Sequence, residues 1–501
     1  MRAHGCCAPA ERQSNRRHFL TWLAYPHWLN PGDNSWQLAA ATLVGLMSVP
    51  GLVVLYGGVM QKRWSVNSMM MSFLAFGLVL VAWVLWSYKM GFGTPWIDKH
   101  GGTKAFFHGF IGKPGSILGS GAEEGQASIP LVTSGPAFHF PMSTLAYFQF
   151  VFAAITPILL LGSVLGRFNF KAWIPFVLLW NTFVYAVNAF LIWGGGYFAA
   201  NGSLDFSGGY VIHLAAGVSG FVAAAVVGPR LQRDREVDAP NNLLMVATGA
   251  GLLWLGWNGF NGGDPYYAGA DSAAAVLNTN LATAVAMLVW VGWDLIYRDK
   301  PGIIGTVNGM ITGLVGITPS AGFVNGYGAI IVGVVAATIV WMAIRYLSRV
   351  PPFRNVDDTL GVIYTHGIAG FVGGLMVGLL CCPNMVVDYG VAKGAVGDGG
   401  VVATATSGNL PGLAGVFYHG GWTLMKWQFF AALFIIVWDG AMTFILLKIV
   451  GLFIPLRVSD EELEAGDQAI HGHEVYPSDV PTLGQTGGAP WAPAPAGGRA
   501  G

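Results

Sequence analysis

His213-Leu-Ala-Ala-Gly217 and His366-Gly-Ile-Ala-Gly370 are look-alike stretches, one in each half of a 501-residue chain. Each histidine lies inside a long apolar segment and is followed by a small-residue run rich in Val and Leu; the chain's other histidines lie outside such segments. An ionisable side chain within a membrane span is costly and usually faces a pore or a partner. Two in matching surroundings point to a pseudo-symmetric pair meeting at the centre of a transport path. A structural histidine satisfied between helices is ordinarily the commoner case, and the repetition makes it the weaker reading here.

The composition agrees with a membrane setting. The chain is 54% hydrophobic and only 10% charged, with mean hydropathy +0.55, whereas a soluble domain carries roughly 25% charged residues. Its formal net charge of zero argues against a nucleic-acid partner. Glycine occurs 72 times, and small residues let membrane helices pack closely. The four cysteines form two adjacent pairs, Cys6-Cys7 and Cys381-Cys382, without zinc-finger spacing. They read as structurally incidental, and a disulfide between the pairs requires both to face an oxidising side.

Stretches of about 20 apolar residues cross a bilayer as helices. They fall near 36–59, 67–91, 143–165, 172–195, 206–228, 242–262, 272–296, 303–323, 327–347, 361–382 and 427–454. The expected fold is therefore an all-α integral membrane protein of eleven transmembrane helices. His213 falls in span 5 and His366 in span 10, so ten spans form two halves of five. Halves with an odd number of spans are inverted relative to each other, and sites form where they meet. The last helix stands outside the repeat.

Basic residues orient the chain. Lys62 and Arg63, Arg167 and Lys171, Arg230 with Arg233 and Arg235, Arg298 with Lys300, and Arg345 with Arg349 and Arg354 occupy alternate loops. The loops after spans 4, 6 and 8 carry neither Lys nor Arg. The positive-inside rule places the N-terminus outside and the C-terminus in the cytoplasm, against the basic arm of Arg2, Arg12, Arg16 and Arg17. Residues 1–33 form an N-terminal extension without a signal-peptide core; its amphipathic stretch reads as a surface-lying segment or a misassigned start. Residues 34–456 form the transmembrane domain. The tail, 457–501, turns polar and ends Pro/Ala/Gly-rich, with disorder expected after about residue 480.

The segment Trp193-Gly-Gly-Gly-Tyr-Phe-Ala-Ala-Asn-Gly-Ser-Leu-Asp205-Phe-Ser-Gly-Gly209-Tyr-Val-Ile-His213 resembles the opening of the fifth span in the ammonium transporter family (Amt/MEP/Rh), and the chain as a whole looks like its bacterial Amt-like members. Further matches run in order along residues 34–476. They include Pro50-Gly51, Tyr56-Gly-Gly58, Phe148-Gln149, Phe152-Ala-Ala-Ile-Thr156, Gly256-Trp257, Gly259-Phe260-Asn261, Asn278-Thr279, Thr318-Pro319, His366-Gly367 and Leu456-Arg457-Val458-Ser459. The resemblance implies an ammonium site at Trp193 and Phe152, a gate of Phe152 and Phe260 beneath it, and a pore lined by His213 and His366. It also implies a homotrimer with one pore per subunit in the cell (inner) membrane, and a cytoplasmic tail that docks a PII-type signalling protein in bacterial relatives. The tail's charges around Gly466 read equally as a solvated cap on a membrane helix. The sequence contains no Walker, kinase or redox-cofactor motif, so neither an enzyme nor a cofactor is expected.

The chemistry of these residue types suits that task. Carrying NH4+ into a dry pore costs tens of kcal/mol unless its hydration is replaced. Aromatic faces return roughly 0.5–2 kcal/mol each, so the ion should lose a proton before or during entry. Neutral imidazole both donates and accepts, so two can bond ring to ring and still serve NH3 or a relayed proton. Asp205 can cap the N-terminus of span 5 and lend negative potential to the vestibule.

Three departures from the family stand out. Bacterial members commonly carry a small hydroxyl residue where this chain has Asp264, a carboxylate that would pair with NH4+, retain it, or stand as a solvated loop charge. Gly361 replaces the aspartate usual before His366. Asp439 in span 11 reads as a helix or subunit contact rather than a pore residue. The leading expectation is ammonium uptake, with the proton's fate open. The alternatives are an ammonium sensor with little flux and an Rh-like NH3/CO2 gas channel.

Overall fold

The computed structural model describes residues 26–97, 108–130, 138–237, 239–297, 299–383, 385 and 414–476. The regular secondary structure of these residues is helical, apart from isolated β-bridges. Eleven apolar helices succeed one another: α1 Pro31–Val59, α2 Lys62–Phe92, α3 Met142–Leu161, α4 Phe170–Ala200, α5 Gly209–Val227, α6 Leu243–Gly262, α7 Ala270–Ile296, α8 Ile303–Ile317, α9 Gly326–Arg349, α10 Ile363–Leu380 and α11 Thr423–Gly451. Among the described residues, ten are long and apolar enough to cross a membrane. They coincide span by span with the expected segments. The mouth of the molecule where α1 begins is here the head face, and the opposite one, where α11 ends, the tail face.

The exception is α8, whose 15 residues rise only about 22 Å at 1.5 Å each, short of a hydrocarbon core of roughly 30 Å. Turns carry the chain onward, with the N–H of Thr318 donating to the Leu314 carbonyl and that of Phe323 to Ser320. Helix α3 is built alike: it ends at Leu161 and turns follow through Arg167. The two hold third place in their respective halves, so a helix continued by turns repeats, although α3 with its 20 residues is long enough to span. Helix ends are set by capping as much as by hydropathy. Asn30 accepts the N–H groups of Gly32 and Asp33 and Pro31 takes the first helical position, so α1 starts five residues before its apolar run.

The two halves meet where α5 crosses α10. A Cβ on Gly217 would lie 2.3 Å from the Gly367 Cα, and one on Gly370 would lie 3.0 Å from the Leu214 nitrogen. In each case the glycine four residues after one histidine touches the backbone one residue after the other. Backbones approach this closely only where at least one of the helices has glycine at the contact.

Beyond α11 the chain folds back on the tail face. Helix α12, Asp460–Ala465, opens with a capping box of Ser459 and Glu462. Helix α13, Asp467–His471, follows Gly466, whose φ is +64° and whose Cβ would sit 2.2 Å from the Arg63 carbonyl. The buried Asp467 carboxylate accepts the N–H groups of Val66 (2.7 Å) and Asn67 (2.8 Å) in the first turn of α2. This part of the tail is docked rather than a solvated cap. Cys381 and Cys382 are buried free thiols. Cys6, Cys7, the expected disorder after residue 480, and parts of the loops 95–142 and 383–425 lie outside the described residues.

Gly217→Val places a Cβ and two methyls where Gly367 already sits; overpacking costs roughly 1–3 kcal/mol or more. The expected outcome is a lower melting temperature in detergent, read by thermal denaturation, with Gly292→Val on the open face of α7 as the silent control.

Candidate functional site

Asp205 sets the start of α5. Its Oδ1 accepts the N–H groups of Gly208 (3.1 Å) and Gly209 (2.6 Å), and its Oδ2 those of Tyr210 (2.8 Å) and Val211 (3.0 Å). One carboxylate thus satisfies the donors that a helix start leaves over. Burial pushes its acid constant up to about 6, against the pull of the four N–H groups. Asp358 stands at the start of α10 in the same relation, accepting the N–H of Ile363 at 2.9 Å. Each aspartate precedes its histidine by eight residues. Both helices open as a π turn, Gly209–Leu214 and Ile363–Ile368, a wide coil common at functional sites. These turns carry His213 and His366.

The imidazoles meet Nδ1 to Nδ1 at 3.2 Å, with centroids 5.4 Å apart. One nitrogen donates and the other accepts, which two neutral rings provide. Both residues are buried, and the His213 Nε2 has no hydrogen-bond partner.

Rings continue from this pair toward the head face. His213 stacks on Phe260 at 5.9 Å, Phe260 touches Phe152 at 4.4 Å, and Phe152 meets Trp193 edge-on at 6.1 Å. Trp193 is held by its indole N–H donating to the Asp205 carbonyl at 2.7 Å. The Phe152 and Phe260 planes are tilted by 42° rather than stacked parallel. The structure therefore brings Trp193, Phe152, Phe260, His213 and His366 into one column, from five different helices. On the tail side of His366 a cavity of ≈ 280 Å³ opens, lined among others by Ile155, Leu159, Trp257, Val307 and Tyr364.

Asp264 follows the end of α6 and is 4% exposed. It is not a solvated loop charge. Its Oδ2 has no hydrogen-bond partner, and burial, with Asp205 nearby, raises its acid constant well above the ordinary carboxylate value. Asp439 accepts two hydrogen bonds from the Asn188 amide (3.0 and 2.9 Å), joining α11 to α4, a helix–helix contact as the sequence suggests.

Two contributors escape the sequence reading. Trp257 stacks on His213 at 5.3 Å and donates to the Thr318 hydroxyl at 2.9 Å; its motif was visible, its partner was not. Asp358 takes the helix-start position that the missing aspartate at Gly361 leaves in question, and the eight-residue offset shared with Asp205 was the available signal.

Asp205→Ala would leave four buried N–H groups without an acceptor, at roughly 1–3 kcal/mol each. Little folded protein is expected on size-exclusion chromatography, whereas Asp205→Asn, keeping one acceptor oxygen, should yield an intermediate amount.

A family model described as the Ammonium Transporter Family matches residues 35–476. Ammonium transporter 2 of Arabidopsis thaliana is 49% identical over 454 residues, covering 90% of this chain and 89% of its own. The crystal structure of Saccharomyces cerevisiae Mep2 superposes with a TM-score of 0.71 at 26% identity, covering 87% of this chain and 89% of that one. A structure called Sensor Amt Protein superposes with a TM-score of 0.69 at 20% identity, covering 87% and 96%, a likeness of fold.

Proposed function

This chain belongs to the ammonium transporter family, and from that we propose that it binds NH4+ at the head face, deprotonates it, and passes NH3 along the paired histidines. The observation that carries this is the unbroken series of contacts from Trp193 through Phe152, Phe260 and His213 to His366. Trp193 and Phe152 offer π faces to a cation, each worth roughly 0.5–2 kcal/mol. That is far below the tens of kcal/mol needed to strip the ion fully, so ammonium is caught above Phe152 and Phe260 and continues as the neutral base. Asp264 completes the capture site as a negative charge with a free oxygen. The Phe152–Phe260 contact is the gate, and Asp205 holds the vestibule wall and the first turn of α5.

The head face is the outside of the cell (inner) membrane and the tail face the cytoplasm, in line with the alternating basic loops. The chain works as a homotrimer with one pore per copy, and its exposed apolar side chains, such as Leu255, Leu277 and Leu288 on α6 and α7, suit lipid or a neighbouring copy. The docked tail and tail-face loops make the surface for a PII-type signalling partner.

The test is uptake of isotopically labelled ammonium into cells lacking their own ammonium transporters. Wild type should accumulate label, and His213→Ala should lose about tenfold or more, what one lost hydrogen bond of roughly 1.4 kcal/mol gives. Ammonium binding by purified protein with no uptake in cells would favour the sensor reading instead.

A further inference from the structure

We propose that Asp264 is the group that takes the proton from the ammonium ion, an inference that rests on the transport reading above. Its position is fixed on both sides of the ring pair. After α6 ends at Gly262, Gly263 passes so close to Phe148 that a Cβ there would lie 2.4 Å from the ring. Phe148 packs on Phe152 at 4.8 Å. Beside Asp264 lies the Ser207 hydroxyl, which donates to the Phe260 carbonyl at 2.9 Å. Asp264 is thereby tied to the supports of both Phe152 and Phe260.

The other candidates at this level are occupied or unsuited. The Trp193 indole only donates. Each Asp205 oxygen already accepts two N–H groups. The Ser207 hydroxyl is engaged and is a poor base. His213, whose Nε2 is free, lies behind the ring pair, so an ion meets it only after passing Phe152 and Phe260. The Oδ2 of Asp264 is buried and free of any partner. The titratable groups facing it are Asp205 across the α4–α5 connection and Tyr185 from α4, and neither brings positive charge. The same surroundings that raise its acid constant make it a stronger base than an ordinary aspartate.

In the step itself an N–H bond of NH4+ breaks, its electron pair stays on nitrogen, and the proton forms an O–H bond at Oδ2. An ion pair becomes two neutral species, ammonia and a carboxylic acid, which a desolvated site favours. Ammonia continues past Phe152 and Phe260. The acid returns its proton to water on the head face, so no charge crosses. Below the acid constant of Asp264 the carboxyl is already protonated and cannot accept, so the maximal rate should fall as the external pH drops.

The experiment measures labelled-ammonium uptake against external pH, together with current on a solid-supported membrane, for wild type, Asp264→Ser and Asp264→Glu. All three are first checked for an unchanged elution profile. Wild type is expected to show an acid limb in its maximal rate and no sustained current. D264S should lose about a hundredfold in maximal rate, the scale of one proton-transfer group, with KM changed far less and the acid limb gone. D264E should restore both rate and limb. A D264S protein with wild-type rate and pH profile overturns the assignment while leaving the transport reading intact, and so does a sustained wild-type current. Absence of uptake by wild type overturns the transport reading and this inference with it. If D264S fails to fold, the assignment is decided on D264E and wild type: a D264E pH profile and maximal rate unlike those of wild type would overturn it.

Discussion

Two helix backbones in contact, Gly217 against Gly367, are what the rest of this molecule depends on. In hydrocarbon there is no hydrophobic force between helices, so their association rests on close packing and internal hydrogen bonds. With a Cβ at that crossing, α5 and α10 would stand apart, and the imidazoles that now touch at 3.2 Å would not reach each other. The inverted repeat works toward the same end: each half contributes a capped π turn, a histidine, and a glycine one turn later.

The buried carboxylates divide by how they are satisfied. Asp205 and Asp358 accept backbone N–H groups at helix starts, where the helix dipole also favours negative charge. Asp439 is gripped by the Asn188 amide. Asp467 sits on the first turn of α2. Each of these holds two pieces of backbone together. Asp264 and Asp358 each keep one oxygen without a hydrogen-bond partner; Asp264 differs in lying beside the ring pair, next to the Ser207 hydroxyl that donates to the Phe260 carbonyl.

Much of this was legible beforehand. Eleven spans and the pairing of their halves, with His213 and His366 between them, follow from apolar run length and repetition, whereas the grouping of Trp193, Phe152 and Phe260 above that pair is what the family resemblance implied. The spans survive in the fold because a chain in hydrocarbon must satisfy its backbone groups internally, as helices do. What could not be read depends on three-dimensional neighbours. The burial of Asp264 goes with the close passage of Gly263 against Phe148. The stacking of Trp257 on His213 joins α6 to α5. The short α8 is hidden in an apolar run that continues beyond its helix, since hydropathy does not distinguish a helix from the turns that follow it. Charge alone likewise did not show where the tail packs: Asp467 meets residues some four hundred positions earlier.

That last contact bears on how the protein is made. The N–H groups at the start of α2 belong to the second helix synthesised, and their acceptor belongs to a segment that follows the last one. Until residues 466 and 467 are synthesised this turn must be satisfied by water or by another partner, since they supply the Asp467 carboxylate and the Gly466 that fits against Arg63. The hairpin of α1 and α2 thus acquires this lock only once Asp467 has been made, so a chain cut before that residue would hold all eleven helices yet leave the start of α2 unsatisfied.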